Sequence, residues 1–411
     1  MKILFIAQPF PYPPDTGSRN LIFHWLEAAT SLHDVHLLWI GDPKEGTSNI
    51  RELPKLKVTC IAASPDMKLS GRIQRLATAV LTNTPSTSLV GMTNGARNEI
   101  LHHVETGNYD VVVLTENVVA GYAPLLVSSI PVVLFKHSVQ AVDARDARNR
   151  FGKLHLRWAL EEHIVRKFEA RTCETSTVLC TVNAEDAADL AERYRLPRPA
   201  RVVPIGVDLS KFPPRGQDPG GHVIGFFGNM SWGANLDAAN WFVAQILPTI
   251  WEKFPSAEFR VIGHGSKNWA PEKCDPRIDR RGPSNIPDCM SDAVIGVVPV
   301  FSGTGVRLKL LEMLSMGIPV ITTSLGALGT GCKHEEHVLI ADDCDSFSAA
   351  VVRLIEDSRL RKKLRGAGLE LIQAHSWQSF YPEILEAIQK AASTHPGFVA
   401  REPTSAAQEI L

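Results

Sequence analysis

Phe301-Ser302-Gly303-Thr304-Gly305-Val306-Arg307-Leu308-Lys309-Leu310-Leu311-Glu312-Met313-Leu314-Ser315-Met316-Gly317-Ile318-Pro319-Val320 reads as a glycine-rich loop, a helix, a glycine stop and a strand. The loop and the first helical turn expose backbone N–H groups that favour an anion. Arg307 and Lys309 add positive charge at the same place. Glu312 follows on the same helix, where its carboxylate can accept two hydrogen bonds from a vicinal diol such as a ribose. Taken alone, the pattern reads first as an ordinary βαβ unit with a surface glutamate.

The surrounding sequence repeats this rhythm. Apolar runs at Lys2–Ala7, Val35–Ile40, Val58–Ala62, Val111–Leu114, Val132–Phe135, Thr177–Thr181 and Arg201–Val203 alternate with helical patterns such as Asn20–Ser31, Ser70–Leu81 and Leu154–Thr172. After Pro204-Ile205-Gly206-Val207-Asp208 the pattern restarts, with strands at Val223–Phe227, Glu258–Ile262, Ala293–Pro299, Pro319–Thr322 and Val338–Ile340. Continuous apolar strands indicate parallel sheets covered on both faces. The expected fold is α/β: two Rossmann-like, doubly wound parallel-sheet domains facing a central cleft. The boundaries expected are 1–205 for the first domain, 206–375 for the second, 376–394 for a helix crossing back, and 395–411 for a frayed tail. In such sheets the ligand sits at the carboxyl ends of the strands.

Composition narrows the alternatives. The chain has 411 residues, 44% hydrophobic and 21% charged, with 43 Lys+Arg against 44 Asp+Glu. This is globular, not disordered or coiled-coil. A net charge of -1 carries no basic excess for nucleic acid. The seven cysteines form no Cys-x-x-Cys pair, so neither a zinc knuckle nor a disulfide framework is indicated. The uncharged stretch Asn117–Phe135 is nearly long enough to span a bilayer. Its prolines and glycine read instead as a short helix, a turn and a buried strand. The protein is therefore expected to be cytoplasmic, and at most peripheral to a membrane.

Other strand ends carry candidates. The loop after the first strand holds Gly17 and Arg19 and leads into a helix, but it lacks the G-x-G-x-x-G of a dinucleotide enzyme. Gly225-Phe226-Phe227-Gly228-Asn229 opens the second half, and Gly263-His264-Gly265 follows its second strand. His137 and Glu116 sit just past apolar strands of the first half. His334-Glu335-Glu336-His337 and Glu161-Glu162-His163 lack His-Glu-x-x-His spacing and read as solvated polar stretches.

The block Gly303–Pro319 resembles the donor-binding signature of GT-B glycosyltransferases of family 4. It matches the branch written G-x-G-x-R-x-K-x-x-E-x-x-x-x-G-x-P. Gly17, Pro204–Asp208, Gly225–Gly228 and Gly326–Gly329 fall in order around it. The opening block and Gly228–Trp232 are more loosely similar to exopolysaccharide-associated sugar transferases. The resemblance implies a nucleotide-diphosphate sugar as donor substrate, no cofactor and no obligatory metal. It places Gly17, Gly228, Asn229, Gly263, Ser302, Gly303, Thr304, Gly305, Val306, Leu308 and Glu312 around the donor, with Glu312 on the ribose. His137 would face the transferred sugar, with Arg19 and Glu116 on the acceptor side. Retention at the anomeric carbon is implied, the leaving phosphate helping to take the acceptor proton.

Two departures from the family stand out. The family's Glu-x7-Glu pair is incomplete, because Thr304 stands where the first acid belongs. No basic residue follows Phe227 until Lys253, where relatives place an Arg and a Lys against the diphosphate. Arg307 and Lys309 are therefore expected to take over that charge. The acceptor is expected to be a glycan or a lipid-linked glycan. The basic amphipathic stretches Met67–Leu81 and Arg145–Arg171 suggest contact with an anionic membrane. Rival functions are a nucleotide-sugar epimerase of the same fold and a non-catalytic nucleotide-sugar-binding protein.

Overall fold

A computed structural model describes residues 1–42, 53, 56–62, 77–151, 156–271 and 275–394. The chain forms two compact units. The first takes Met1–Pro204 together with the chain from Phe380 onward, and the second is Ile205–Ser379.

The first unit holds a seven-stranded sheet. Its strands are β1 (Lys2–Ala7), β2 (Asp34–Gly41), β3 (Leu56–Ala62), β4 (Val111–Thr115), β5 (Val132–Lys136), β6 (Val178–Thr181) and β7 (Arg201–Val202). They lie in the order β3-β2-β1-β4-β5-β6-β7, with every pairing parallel. The order reverses between β1 and β4, which is where such sheets open a ligand crevice. Val111–Thr115 and Val132–Lys136 are buried at every position, as strands covered on both faces must be. Between them, Ala120–Tyr122 and Ala123–Leu126 are short helical turns.

The second unit repeats the plan with β8 (Val223–Phe227), β9 (Glu258–Ile262), β10 (Ile278–Arg281), β11 (Ile295–Val298), β12 (Val320–Thr322) and β13 (Leu339–Ile340). Their order, β10-β9-β8-β11-β12-β13, reverses between β8 and β11. Its core includes Phe226, Phe259, Val261, Val297, Leu310 and Ile321, all without solvent exposure. Each such side chain contributes about 1.5–3 kcal/mol of burial.

One sequence expectation is corrected by the structure. Trp377 belongs to the second unit and not to the terminal helix: Val207 bridges to Ser376 and donates its N–H to the His375 carbonyl at 2.8 Å. Gly206 has no room for a side chain, since a Cβ there would lie 2.5 Å from the Trp377 backbone. The terminal helix proper is Tyr381–Ala392, and it buries Ile384, Leu385 and Ile388 in the first unit. The basic stretch Arg145–Arg171 spans two helices, Gln140–Phe151 and Leu156–Thr175, the second close to the expected Leu154–Thr172. Most of Met67–Leu81 lies outside the described residues. Among the described residues, no helix is long and apolar enough to cross a membrane.

Candidate functional site

In the second unit, loops converge at the carboxyl ends of β8, β9 and β11. The Gly228 N–H donates to the Ile262 carbonyl at 2.9 Å, and Met230 N–H to the His264 carbonyl at 2.8 Å. A Cβ on Gly263 would sit 2.3 Å from the Gly228 carbonyl oxygen, so these loops pack backbone against backbone. The loop after β11 turns on Gly303 at φ +88° and Gly305 at φ +78°, a region L side chains rarely enter. It leads into the helix Leu308–Ser315.

Arg307 does not lie as the sequence suggested. Its guanidinium is buried and turned back into its own loop. Nη1 donates to the carbonyls of Thr304 at 2.5 Å and Gly305 at 3.3 Å, and Nη2 to those of Ser302 at 3.1 Å and Gly303 at 2.9 Å. The charge thus satisfies carbonyls that a tight glycine loop leaves without helical or sheet partners. The guanidinium also lies 5.9 Å from the ring of Trp232, which is 44% exposed.

Lys309 points the other way, to the end of β8. Its Nζ donates to the side-chain carbonyl of Asn235 and lies 4.6 Å from the Phe226 ring centre. A Cβ on Gly228 would be 2.9 Å from this nitrogen. Asn235 is fixed in turn by donating to the Asn229 carbonyl at 2.9 Å. Burial, and then the positive charge of Arg307, lower the Lys309 pKa to about 7. Glu312 lies about one helical turn further along. Burial raises its pKa to about 7, against the opposing pull of Lys211 and Lys309. Among the described residues no group hydrogen-bonds its carboxyl. The helix therefore offers a cation beneath Gly228 and an unengaged carboxyl on one side chain ladder.

The first unit has its own strand-end cluster. Gly17 begins the helix Gly17–Leu32, capped by Thr16, whose hydroxyl accepts from the Arg19 N–H at 3.4 Å. The Arg19 guanidinium pairs with Asp15 at 3.1 Å. Ala7, Thr115 and Phe135 are level in the sheet register, so Gln8 and Glu116 leave it beside Lys136, the last residue of β5. Glu116 Oε2 is 2.9 Å from His137 Nδ1. Lys136 turns inward to a fully buried ion pair with Glu169 at 3.0 Å.

The sequence-derived candidates thus form two groups, each on its own unit. Gly228, Asn229, Gly263, Ser302–Val306, Leu308, Lys309 and Glu312 gather in the second. Gly17, Arg19, Glu116 and His137 gather at strand ends of the first. Asn235 and Glu169 were not singled out. Each is far in sequence from the group it holds, so only the fold reveals it. Lys136 left a legible trace, as a charge at the end of an apolar strand. Among the described residues no three His, Cys, Asp or Glu side chains cluster to hold a metal.

Comparison with known proteins agrees with this architecture. Residues 47–211 match the family model described as Glycosyltransferase Family 4, and residues 221–357 the model described as Glycosyl transferases group 1. An uncharacterized 44.6 kDa protein in the cps region of Klebsiella pneumoniae is 24% identical over 159 residues, 36% of this chain and 41% of that protein. A phosphatidyl-myo-inositol mannosyltransferase of Mycolicibacterium smegmatis is 23% identical over 213 residues, 48% of this chain and 54% of that one. The chain thus spans about half the length, or less, of these curated relatives. The structure of Anabaena HepE in complex with UDP superimposes with a TM-score of 0.65 at 14% identity, covering 95% of this chain and 100% of that one.

Two parallel-sheet α/β domains with these strand-end sites define a protein of the GT-B class. The chain belongs among the GT-B glycosyltransferases of family 4 type.

Proposed function

We propose that this chain transfers a sugar from a nucleotide-diphosphate sugar to an acceptor hydroxyl, with retention, in the assembly of a surface glycan. The carrying observation is the pair made by Lys309 and Glu312. One helix sets a buried ammonium against the end of β8 and, a turn away, a carboxyl that accepts no hydrogen bond among the described residues. That spacing suits a diphosphate followed by a ribose diol. Charge on the departing diphosphate is where stabilisation counts most. Lys309 and the N-terminus of its helix supply it, in place of the basic pair that relatives carry after the first strand of this domain.

The retained course breaks the bond between the anomeric carbon and the diphosphate oxygen. The acceptor oxygen forms its bond on the same face, and its proton passes to the leaving phosphate. No protein carboxylate stands at Thr304, so this course asks for none there. The transfer is metal-independent in this reading. The UDP bound in HepE, the mannosyl transfer named for the mycobacterial relative and the cps location of the Klebsiella relative support the donor class and the glycan role. A lipid-linked acceptor is supported by the exposed Leu81, Leu156 and Arg157 of the first unit.

A thermal-shift screen over nucleotide sugars tests the reading, because a ligand bound only by the folded state raises the midpoint. A nucleotide sugar should stabilise the wild type, and Glu312→Ala should weaken its binding about tenfold or more. A stabilising nucleotide sugar that no glycan or lipid-linked acceptor ever consumes would sink the transfer.

A further inference from the structure

Glu116 leaves β4 with φ +91°. For a residue other than glycine such a backbone costs about 1–3 kcal/mol, and it persists only where its surroundings impose it. The surroundings here do. The Glu116 N–H donates to the Phe135 carbonyl at 3.3 Å. The Asn117 carbonyl accepts from Ser88 Oγ at 3.4 Å, and its side-chain oxygen accepts from Lys136 Nζ. Glu169, paired with Lys136, accepts the N–H groups of Gln140 at 2.8 Å and Ala141 at 3.1 Å, and the Tyr194 hydroxyl at 2.8 Å. The chain is therefore pinned on both sides of Glu116 and of His137.

This strained turn delivers one thing, a carboxylate against an imidazole. The Glu116 side chain is 6% exposed and that of His137 is 34% exposed, with Oε2 2.9 Å from Nδ1. The contact is close in distance but not aligned as a hydrogen bond. Glu116 Oε1 and His137 Nδ1 are both buried and without a hydrogen-bond partner among the described residues. The rest of the ring opens outward at the carboxyl end of β5.

We propose that Glu116 is a positioning residue that holds the His137 ring as a cation with its Nε2–H outward, so that the ring donates a hydrogen bond to a substrate oxygen and does not abstract a proton. The proposal rests on the reading of His137 as part of the sugar-transfer site. It is consistent with a course in which the leaving phosphate takes the acceptor proton, since a protein base is then superfluous. The charged groups facing the ring agree. Burial alone would lower the His137 pKa, but Glu116 at the end of β4 and Asp143 on the following helix raise it above the ordinary range, against Lys136 on β5.

The test is an NMR titration of the imidazole in full-length protein carrying isotope-labelled histidine, with His137→Gln to assign the signal. Glu116→Gln should lower the His137 midpoint by about one pH unit or more, and Glu116→Asp should restore part of it. An unchanged midpoint in Glu116→Gln overturns the proposal. Because this readout needs no substrate, it stands even if the transfer reading fails. In turnover, Glu116→Gln should reduce kcat about tenfold at pH 7 with donor KM within about threefold, and the loss should shrink as pH falls. A rate that rises as His137 loses its proton would identify a base and sink the idea. If Glu116→Gln does not fold, Glu116→Asn, which tolerates positive φ, is titrated and judged in the same way.

Discussion

Arg307 and Lys309 stand two positions apart and have different employments. Arg307 holds the Gly303–Gly305 turn closed through four carbonyls, while Lys309 leaves the loop altogether and reaches β8. Arg307→Ala removes four hydrogen bonds from a charged donor to this loop, two of them buried, each worth about 1.5–3 kcal/mol. It should therefore lower the melting temperature markedly, and donor binding with it. Lys309→Ala removes a buried ammonium and should cost little stability while lowering kcat about a hundredfold or more. Circular dichroism melts beside turnover separate the two, and equal melting losses would refute the division of labour. The sequence placed both cations at the anion site. It could not say which one would turn inward, because Arg307's acceptors are backbone carbonyls that every sequence has.

The same pair sets a pH signature. Free Lys309, held near pH 7, is mostly neutral at pH 8, and a bound diphosphate favours its charged form. Donor nucleotide should therefore take up protons at pH 8. Glu312, raised to about 7, is mostly protonated at pH 6, and accepting hydrogen bonds from a diol favours its charged form. Net uptake should then diminish or reverse toward release at pH 6. Calorimetric titration in buffers of different ionisation enthalpy measures this, and Lys309→Met should abolish the uptake at pH 8.

At the scale of elements, the legible strands were those buried on both faces. Val111–Thr115 and Val132–Lys136 announce themselves as apolar runs. β10, Ile278–Arg281, was not read from the sequence because it is an edge strand built of Asp279, Arg280 and Arg281. Asp279 is answered across the sheet by Arg260 at 3.0 Å and along its own strand by Arg281 at 2.7 Å. An edge needs polar residues to discourage further pairing, and this erases the apolar signal. The terminal helix, Tyr381–Ala392, falls inside the expected 376–394, but that range also takes in Trp377, which lies in a separate turn before it. Ile388 lies on the true helix and is fully buried. Ile388→Ala should cost about 2–5 kcal/mol. Calorimetry should show the loss in the first unit's transition, and a bound donor nucleotide should still raise that of the second. A mutant melting as wild type would detach the helix from the first unit's core.

At the scale of the whole molecule, doubling of the fold was legible because the strand rhythm restarts after Pro204. The candidate sites could be placed by position, because their residues follow strands at a reversal of strand order or one strand away from it. What escaped were the long-range supports. Asn235 and Lys309 meet across 74 positions, and Lys136 and Glu169 across a helix hairpin. No local spacing encodes such partners.

The first unit is assembled from both sides of the second, Met1–Pro204 and the chain from Phe380. During synthesis this imposes an order of events. Residues 205–379 have all emerged from the ribosome before the helix that closes the first unit can dock. The sheet of β1–β7 must wait with the face that receives Ile384, Leu385 and Ile388 uncovered, while the second unit already has every residue it needs. The later-made domain is thus the first that can be complete, and the nascent first unit is the part most in need of protection from aggregation.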